Sequence, residues 1–405
     1  MSVSTHATRN RLTLTGSSLA ALLVFSHVFN DGFANLLPAL LPTIQARFGL
    51  SETVLAVFVA TNSLTANVLQ PVFGALSDRW GKRLVGALGL LAVSVLLSFI
   101  ASAMTVWLFF ILLALGSLGS AAFHPSAISI VRAASGKSRN KSLWLACFTA
   151  SGPAGSALAP IAVLAIIRSF GVQYVPWLMI PGVIMALAIY TFTPQQPRAT
   201  GSKRPKLIDW QLVRGPVGLL ALAGVMRSMA FIGFSNAMPL YLVRVHNYAQ
   251  DASIIGWTVA LYSASSAVGV LSSGLLEPRL GRKRLIVGCM LASLPLMIIA
   301  LQVVPGGLVY YVLIALCGAL TNAPVPLLVV TAQDLAPHAV ATASGMLMGL
   351  TWGTAGILYI GIGRLQEVWG MQPAMMVSFV FLIPAAILTS VILDRALPQG
   401  TSTRP

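Results

Sequence analysis

Twelve stretches of the sequence are apolar and almost free of charge over the length of a membrane-spanning helix, which needs about 20 such residues. They lie near residues 17–45, 52–76, 84–104, 106–131, 142–167, 173–193, 215–243, 253–276, 285–304, 307–333, 340–363 and 373–393. Only 8% of the 405 residues are charged, whereas soluble domains carry about 25%. We therefore expect an all-α polytopic membrane protein with twelve transmembrane helices.

One long polar segment divides these stretches into two sets of six. Equal sets on the two sides of this segment indicate two halves of similar plan. The predicted regions are a cytoplasmic N-terminal tail (1–16), an N-terminal six-helix bundle (17–194), a cytoplasmic linker (195–214), a C-terminal six-helix bundle (215–394) and a cytoplasmic C-terminal tail (395–405).

The 25 lysine and arginine residues fall mostly on one side of the predicted membrane. With the N-terminus inside, the outer ends hold only Arg47, Arg168, Arg244 and Arg364, Arg227 lies within a span, and the remaining 20 lie on the inner side. Positive residues concentrate in cytoplasmic loops, so we expect both termini in the cytoplasm of a bacterial inner membrane. The net charge of +16 then reflects topology and contact with anionic lipid, and nucleic acid is not an expected partner.

A short motif after the second span recurs after the eighth. Gly74, Leu76, Arg79 and Gly81 each have an identical residue 200 positions further on. Repeated halves are common in secondary transporters, whose substrate site lies between the halves near the bilayer midplane. The repeat therefore indicates two pseudo-symmetric six-helix bundles.

The segment 74–84 resembles the loop signature between spans two and three of the major facilitator superfamily. This resemblance implies two bundles that rock about a central cavity. It also implies a gating role for both copies of the motif. The residues concerned are Gly74, Asp78, Arg79, Gly81, Lys82 and Arg83, and then Gly274, Glu277, Arg279 and Gly281. In the second copy Pro278 occupies the aspartate position, so whether Glu277 replaces that aspartate stays open, and positive-charge anchoring alone is the alternative role for both loops.

Shorter motifs resemble the fosmidomycin-resistance family of these transporters. They are residues 27–31 (HVFND) in the first span, 123–125 (FHP) in the fourth, and 343–345 (ASG) leading into the eleventh. Arg227 and Ser228 in the seventh span also fit this resemblance. It implies efflux of a small antibiotic or metabolite in exchange for protons.

Asp31 alone among the nine acidic residues lies deep within a predicted span. A charge at the centre of a membrane helix costs at least about 2.5–3.5 kcal/mol on insertion scales, so we expect Asp31 to face a cavity and to carry protons or contact substrate. His27, Asp31 and Asn35 share one helical face, which makes His27 a second proton-coupling candidate and Asn35 a candidate substrate contact. A polar stripe that only packs against another span, or a turn at residues 30–32, is the alternative. Because His27 and Asp31 interrupt the first apolar run, a cleaved signal peptide is not expected.

Three further side chains within spans are candidate substrate contacts. His124 and Phe123 lie in the fourth span, where structural packing is the alternative for both. Arg227 lies in the seventh span, and its planar guanidinium suits carboxylate, phosphate or phosphonate. We expect Arg227 to contact an anion in the central cavity or to pair with Asp31, unless it only bonds helix carbonyls.

The sequence favours a secondary active transporter, with proton-coupled efflux of a small organic drug or metabolite as the leading function. Proton-coupled uptake of a small organic anion is the alternative, and a membrane-embedded enzyme or lipid-handling protein is less favoured. No phosphate-binding GxxxxGK[ST] motif occurs, and Cys147, Cys289 and Cys317 lack the spacing of metal ligands. We expect no cofactor, metal or catalytic residue, and a monomer whose partners are small-molecule substrate, protons and membrane lipid.

Overall fold

The computed structural model describes residues 13–135, 141–195 and 210–396. Among these residues, twelve helical segments are long and apolar enough to cross a membrane, which confirms the predicted number. The spans, numbered one to twelve, are Gly16–Phe48, Glu52–Trp80, Lys82–Ser102, Val106–Ser135, Leu143–Phe170, Val172–Phe192, Pro216–Arg244, Ser253–Leu280, Arg282–Ala300, Leu308–Leu335, Thr342–Trp369 and Met371–Arg395. The described residues leave out most of the predicted N-terminal tail (1–12), most of the predicted linker (196–209) and most of the predicted C-terminal tail (397–405).

Several spans consist of two shorter helices. In the first six spans the helices are α1 (Gly16–Ala34), α2 (Leu37–Phe48), α3 (Glu52–Asn67), α4 (Gln70–Trp80), α5 (Lys82–Ser98), α6 (Val106–Ser135), α7 (Lys141–Phe170) and α8 (Met179–Phe192). A short helix, α9 (Trp210–Arg214), precedes the second six. These contain α10 (Pro216–Arg244), α11 (Ser253–Leu280), α12 (Arg282–Ala300), α13 (Leu308–Asn322), α14 (Pro324–Leu335), α15 (Val340–Gly345), α16 (Thr351–Trp369), α17 (Met371–Val380) and α18 (Leu382–Ala396).

Proline marks three of the breaks within spans. Pro38, Pro71 and Pro324 each lie in the first two residues of the second helix of their span. Proline has no backbone N–H and is tolerated in a first helical turn, where that N–H has no intrahelical partner anyway. Proline at these three positions is thus compatible with the start of a new helix, although the apolar patterning alone predicts one continuous helix per span.

The two halves contact each other along spans two and eleven and along spans five and eight. Glycines of span eleven face span two: Gly349 lies against the carbonyl of Asn67, and Gly363 lies against Ala56. Small residues at such spacing let membrane helices pack closely. The glycine-rich sequence of span eleven thus forms a contact surface between the halves.

Polar contacts join the halves at the end of the molecule where span two begins. Glu52 of span two forms an ion pair with Arg244 at the end of span seven. The backbone N–H of Thr53 donates to Glu367 Oε1 of span eleven at 2.9 Å, and Arg364 donates to Glu367 Oε2 at 2.7 Å. The halves are therefore closed against each other at this end, which the distribution of positive charge predicts to be the outer one.

Candidate coupling and substrate site

His27 and Asp31 of span one meet His124 of span four inside the N-terminal half. Asp31 Oδ1 lies 3.3 Å from His27 Nε2 and 3.1 Å from His124 Nε2. The two histidine Nε2 atoms lie 3.3 Å apart. His124 lies almost a hundred residues from His27 and Asp31 in the sequence, yet the three side chains form one compact group. We call this group the His–Asp–His cluster.

Local structure explains why the three side chains converge. His27 and Asp31 lie one turn apart on α1, which runs without a turn through residues 30–32, so the helical face predicted for them is correct. Span five approaches this face closely because Gly152 has no side chain. A Cβ at Gly152 would overlap with Asp31 Oδ2 and would lie 2.9 Å from His27 Cε1.

The other ring nitrogen of each histidine is held by a backbone carbonyl. His27 Nδ1 lies 2.7 Å from the carbonyl oxygen of Phe148, and His124 Nδ1 lies 2.9 Å from that of Ser120. A carbonyl oxygen only accepts hydrogen bonds, so we assign the Nδ1–H tautomer to both rings. When each imidazole ring is neutral, its Nε2 atom then carries a lone pair. These two lone pairs point at each other and at the Asp31 carboxylate.

Neighbouring side chains complete the cluster. Asn30 Nδ2 donates to Asp31 Oδ1 at 2.9 Å and to Ser120 Oγ at 3.1 Å. The Phe148 ring stacks on His27 with centroids 4.3 Å apart. Phe123 is fully buried, with its ring centroid 6.1 Å from that of His27. The sequence pointed to Phe123 but not to Phe148, whose contribution depends on how span five crosses span one.

Asn35 does not contact the carboxyl group of Asp31. It follows α1 at the break in span one, where Nδ2 donates to the backbone carbonyl of Asp31 at 2.9 Å and to Ser156 Oγ at 2.9 Å. Asn35 therefore caps the end of α1 and ties it to span five.

Arg227 lies in the opposite half and is not paired with Asp31. Its guanidinium donates to Asn322 Oδ1 at 2.7 Å, to the carbonyl of Thr321 at 3.2 Å and to Ser228 Oγ at 2.7 Å. Trp352 covers it, with the ring centroid 4.9 Å from Cζ. The residue is only 2% exposed, and none of the ion pairs between described residues includes it. Arg227 is thus a buried cation whose partners are neutral.

The two loop motifs end their helices in the same way. Gly81 and Gly281 have φ angles of 101° and 79°, a region that favours glycine because a Cβ would clash there. In the first copy Asp78 lies 3.6 Å from Lys82. In the second copy Glu277 Oε1 accepts from Arg282 Nε at 2.7 Å, so in both copies an acidic side chain contacts a cation of its own loop.

The partners beyond each loop differ. In the first copy Arg83 Nη1 donates to the carbonyl of Thr193 at 3.4 Å, and its guanidinium lies over Tyr190. In the second copy Arg282 also bridges to Asp334 at the end of span ten, and Lys283 pairs with Asp394 at 2.7 Å. Each of the described ion pairs at the motif end of the molecule joins two residues of the same half.

Comparison with known proteins identifies the family. The family model for the Major Facilitator Superfamily matches residues 21–360. The chain belongs to this superfamily of transporters. A relative in Bacillus subtilis strain 168, described as the uncharacterized MFS-type transporter YfnC, is 26% identical over 380 residues, with 89% of each chain covered. The fosmidomycin resistance protein of Escherichia coli strain K12 is 24% identical over 363 residues, with 87% of each covered.

Solved structures agree with the fold. The crystal structure of the nucleoside transporter NupG (D323A mutant) superposes with a TM-score of 0.78 over 93% of this chain and 100% of that one, at 15% sequence identity. At this identity the likeness concerns the fold alone. The chain is therefore an integral membrane transporter with the major facilitator fold, and the matched relatives are transporters, not enzymes.

Proposed function

We propose that the protein exports a small organic solute in exchange for protons, and that the His–Asp–His cluster carries the exchanged proton. The observation that carries this proposal is the cluster itself. Three lone-pair-bearing atoms lie within 3.1–3.3 Å of one another. With Nδ1–H on both rings, at least one added proton must lie between these atoms to join them by hydrogen bonds.

A proton held in this way links protonation to structure. The cluster joins spans one and four, and His27 also contacts span five through Phe148. Loss of the shared proton leaves a carboxylate and two neutral acceptors facing one another, a repulsive arrangement in a region of low dielectric. Acidic and histidine side chains within membrane spans commonly serve as proton relays. We propose that this change biases the packing of the three spans and hence the access state.

Two members of the cluster are partly exposed. The side chains of Asp31 and His124 are 19% and 28% exposed, whereas that of His27 is 7% exposed. Asp31 and His124 are thus the cluster members that we propose to meet the solute, which would compete with the proton. Phe123 and Asn35 are better explained by packing and helix capping.

The orientation and gating elements complete the proposed cycle. We place both termini in the cytoplasm, as the positive charge predicts, so that the end closed by Glu52 and Arg244 is the outer one. The two loop motifs then lie at the inner end, where we propose that they separate and rejoin as access alternates. Export agrees with what the Escherichia coli relative is named for, resistance to fosmidomycin.

Uptake of a small organic anion with protons is the second candidate. The observation that favours it is Arg227, a buried guanidinium whose described partners are all neutral. A buried charge is stabilised best by an opposite charge, and an anionic solute can supply one. In this cycle Arg227 would have to exchange part of its present neutral contacts for the anionic solute.

The direction of proton movement tests both candidates. Purified protein is reconstituted in liposomes that contain a pH-sensitive dye, and fosmidomycin and other small organic drugs are tested as solutes. Under the export proposal, solute and proton move in opposite directions, and Asp31→Asn and His124→Gln abolish the coupled proton flux. Asp251→Asn, which removes a carboxylate in the loop between spans seven and eight, outside the cluster and both loop motifs, is the matched control and should behave as wild type.

The other outcomes are equally informative. Movement of solute and proton in the same direction would favour uptake over export. Solute transport by the wild type without any proton flux would reject proton coupling altogether. Retained coupling in Asp31→Asn would reject the cluster as the proton site.

A further inference from the structure

We propose that the His–Asp–His cluster also binds one divalent transition-metal ion of the Zn²⁺ type, and that the bound ion blocks transport. The inference builds on the proposed coupling site. The ion would be held by three atoms of the cluster, His27 Nε2, His124 Nε2 and Asp31 Oδ1. Ligand spacing in the sequence gives no sign of such a site, because His124 lies 93 residues beyond Asp31.

The distances between the candidate ligand atoms fit a tetrahedral ion. Zn²⁺ binds histidine nitrogen and carboxylate oxygen at about 2.0–2.2 Å, which separates any two ligand atoms of a tetrahedron by about 3.3–3.5 Å. The three separations between His27 Nε2, His124 Nε2 and Asp31 Oδ1 are 3.3, 3.1 and 3.3 Å. An ion slightly above the plane of these atoms can therefore reach all three with shifts of a few tenths of an ångström.

The surroundings hold the ligands as metal sites usually do. A metal-binding histidine normally donates its second N–H to a carbonyl or carboxylate, which fixes the tautomer and the ring orientation. His27 and His124 both place Nδ1 on a backbone carbonyl, at 2.7 and 2.9 Å, and so turn a free lone pair inward. Asn30 donates to Asp31 Oδ1 at 2.9 Å and steadies the carboxylate.

The ligand set indicates which ions fit. Two imidazole nitrogens and one carboxylate suit Zn²⁺, Co²⁺ and similar ions, whereas Ca²⁺ and Mg²⁺ prefer six or more oxygen ligands. The partial exposure of Asp31 and His124 leaves a fourth position that water can occupy. We infer a site of three protein ligands with one open position.

A bound ion would act on the coupling site directly. It would occupy the space between the three atoms where the shared proton lies in the proposed cycle. Its two positive charges would exceed the single negative charge of Asp31, so the cluster would keep a fixed positive charge that cannot be passed on. Span one and span four belong to the same half, so inhibition arises from this occupancy and not from a bridge between the halves.

Co²⁺ provides a direct test, because its visible absorption reports tetrahedral coordination. The full chain is purified without a polyhistidine tag and titrated with Co²⁺ in detergent. We expect one ion per chain, a tetrahedral absorption spectrum, displacement by Zn²⁺ and no displacement by excess Mg²⁺. His27→Gln, His124→Gln and Asp31→Asn should each abolish the spectrum, whereas His246→Gln and His338→Gln, which lie outside the cluster, should retain it.

The contrary results are distinct. Absence of a tetrahedral spectrum in the wild type would overturn the inference, and so would a spectrum that survives all three cluster variants, which would indicate an adventitious ion only. If metal binds but micromolar Zn²⁺ leaves transport unchanged, the inhibitory role is wrong. Proton coupling measured without metal tests the proposed function separately. If coupling is observed but Co²⁺ does not bind, only the metal site is rejected. If Co²⁺ binds but no coupling is observed, only the proposed function is rejected.

Discussion

Removing the negative charge of Glu52 should open the end of the transporter where the halves are closed. Glu52 belongs to span two and Arg244 to span seven, so their ion pair stabilises only the state in which the two halves meet at this end. Gln45 Nε2 also donates to Glu52 Oε1, at 3.4 Å. In Glu52→Gln the ion pair is lost, while a neutral side chain of nearly the same size remains.

The structure sets the expected magnitude. The Glu52 side chain is 7% exposed, and that of Arg244 is 46% exposed. A hydrogen bond between charged groups contributes about 1.5–3 kcal/mol, and the exposure of Arg244 places this pair near the lower end because water and salt screen it. A loss of about 1.4 kcal/mol is a tenfold change in an equilibrium. We therefore expect about a tenfold larger population of the state that is open at this end.

Cysteine labelling can measure this population. Ala56 is buried one turn after Glu52, with its Cβ 2.6 Å from the position that a Cβ of Gly363 would occupy. In a background without native cysteines, Ala56→Cys should react with a membrane-impermeant maleimide only when the halves separate. Its labelling rate should rise about tenfold in Glu52→Gln, while Val304→Cys, 79% exposed in a loop, should react equally fast in both.

A rate at Ala56→Cys that changes less than twofold would show that the ion pair does not hold the closed end. Asp394→Asn provides the matched control, because it also removes a carboxylate from an ion pair, but one that lies within the C-terminal half. If Asp394→Asn accelerated labelling as much as Glu52→Gln, a general loss of stability would be the cause.

Three further predictions concern single side chains. Gly152→Ala should abolish proton coupling in liposomes, because the added methyl overlaps with Asp31 Oδ2, whereas Gly361→Ala, with open space around it, should be neutral. Arg227→Gln should weaken transport of an anionic solute about 10- to 150-fold, the loss of a charged hydrogen bond, while proton coupling through the cluster in the other half persists. Unchanged affinity for the anionic solute would exclude Arg227 as a substrate contact. Gly281→Ala should lower the free energy of unfolding by about 1–3 kcal/mol because of its positive φ, as measured by thermal unfolding in detergent, and an unchanged melting temperature would contradict the strain expected there.

The spans could be predicted from the sequence because each obeys one local rule, the need for about 20 apolar residues. The breaks inside spans could not be placed in the same way, since hydropathy does not distinguish one long helix from two short ones. Pro38 and Pro71 mark two breaks, but Pro125 lies in the uninterrupted helix α6. A proline alone therefore does not decide whether a membrane helix breaks.

The candidate site shows the same division between local and long-range information. The pairing of His27 with Asp31 follows from their separation of four residues, which any helix places on one face. The contact with His124 depends on how spans one and four cross, and the sequence indicated only that all three residues face the interior. The pair predicted as an alternative between Asp31 and Arg227 is absent from the described structure, because neutral partners from spans seven and ten already bind the arginine.

The two halves have similar folds but bury different charged groups. The N-terminal half holds its carboxylate between two histidines, whereas the C-terminal half holds a buried arginine among neutral groups and an aromatic ring. Opposite charges buried in opposite halves would attract strongly if nothing separated them. Because each is bound within its own half, no ion pair between described residues of the bilayer interior has to break when the halves move apart. Among the described residues, the ion pair that joins the halves, between Glu52 and Arg244, lies at the end of the molecule where water can compensate its loss.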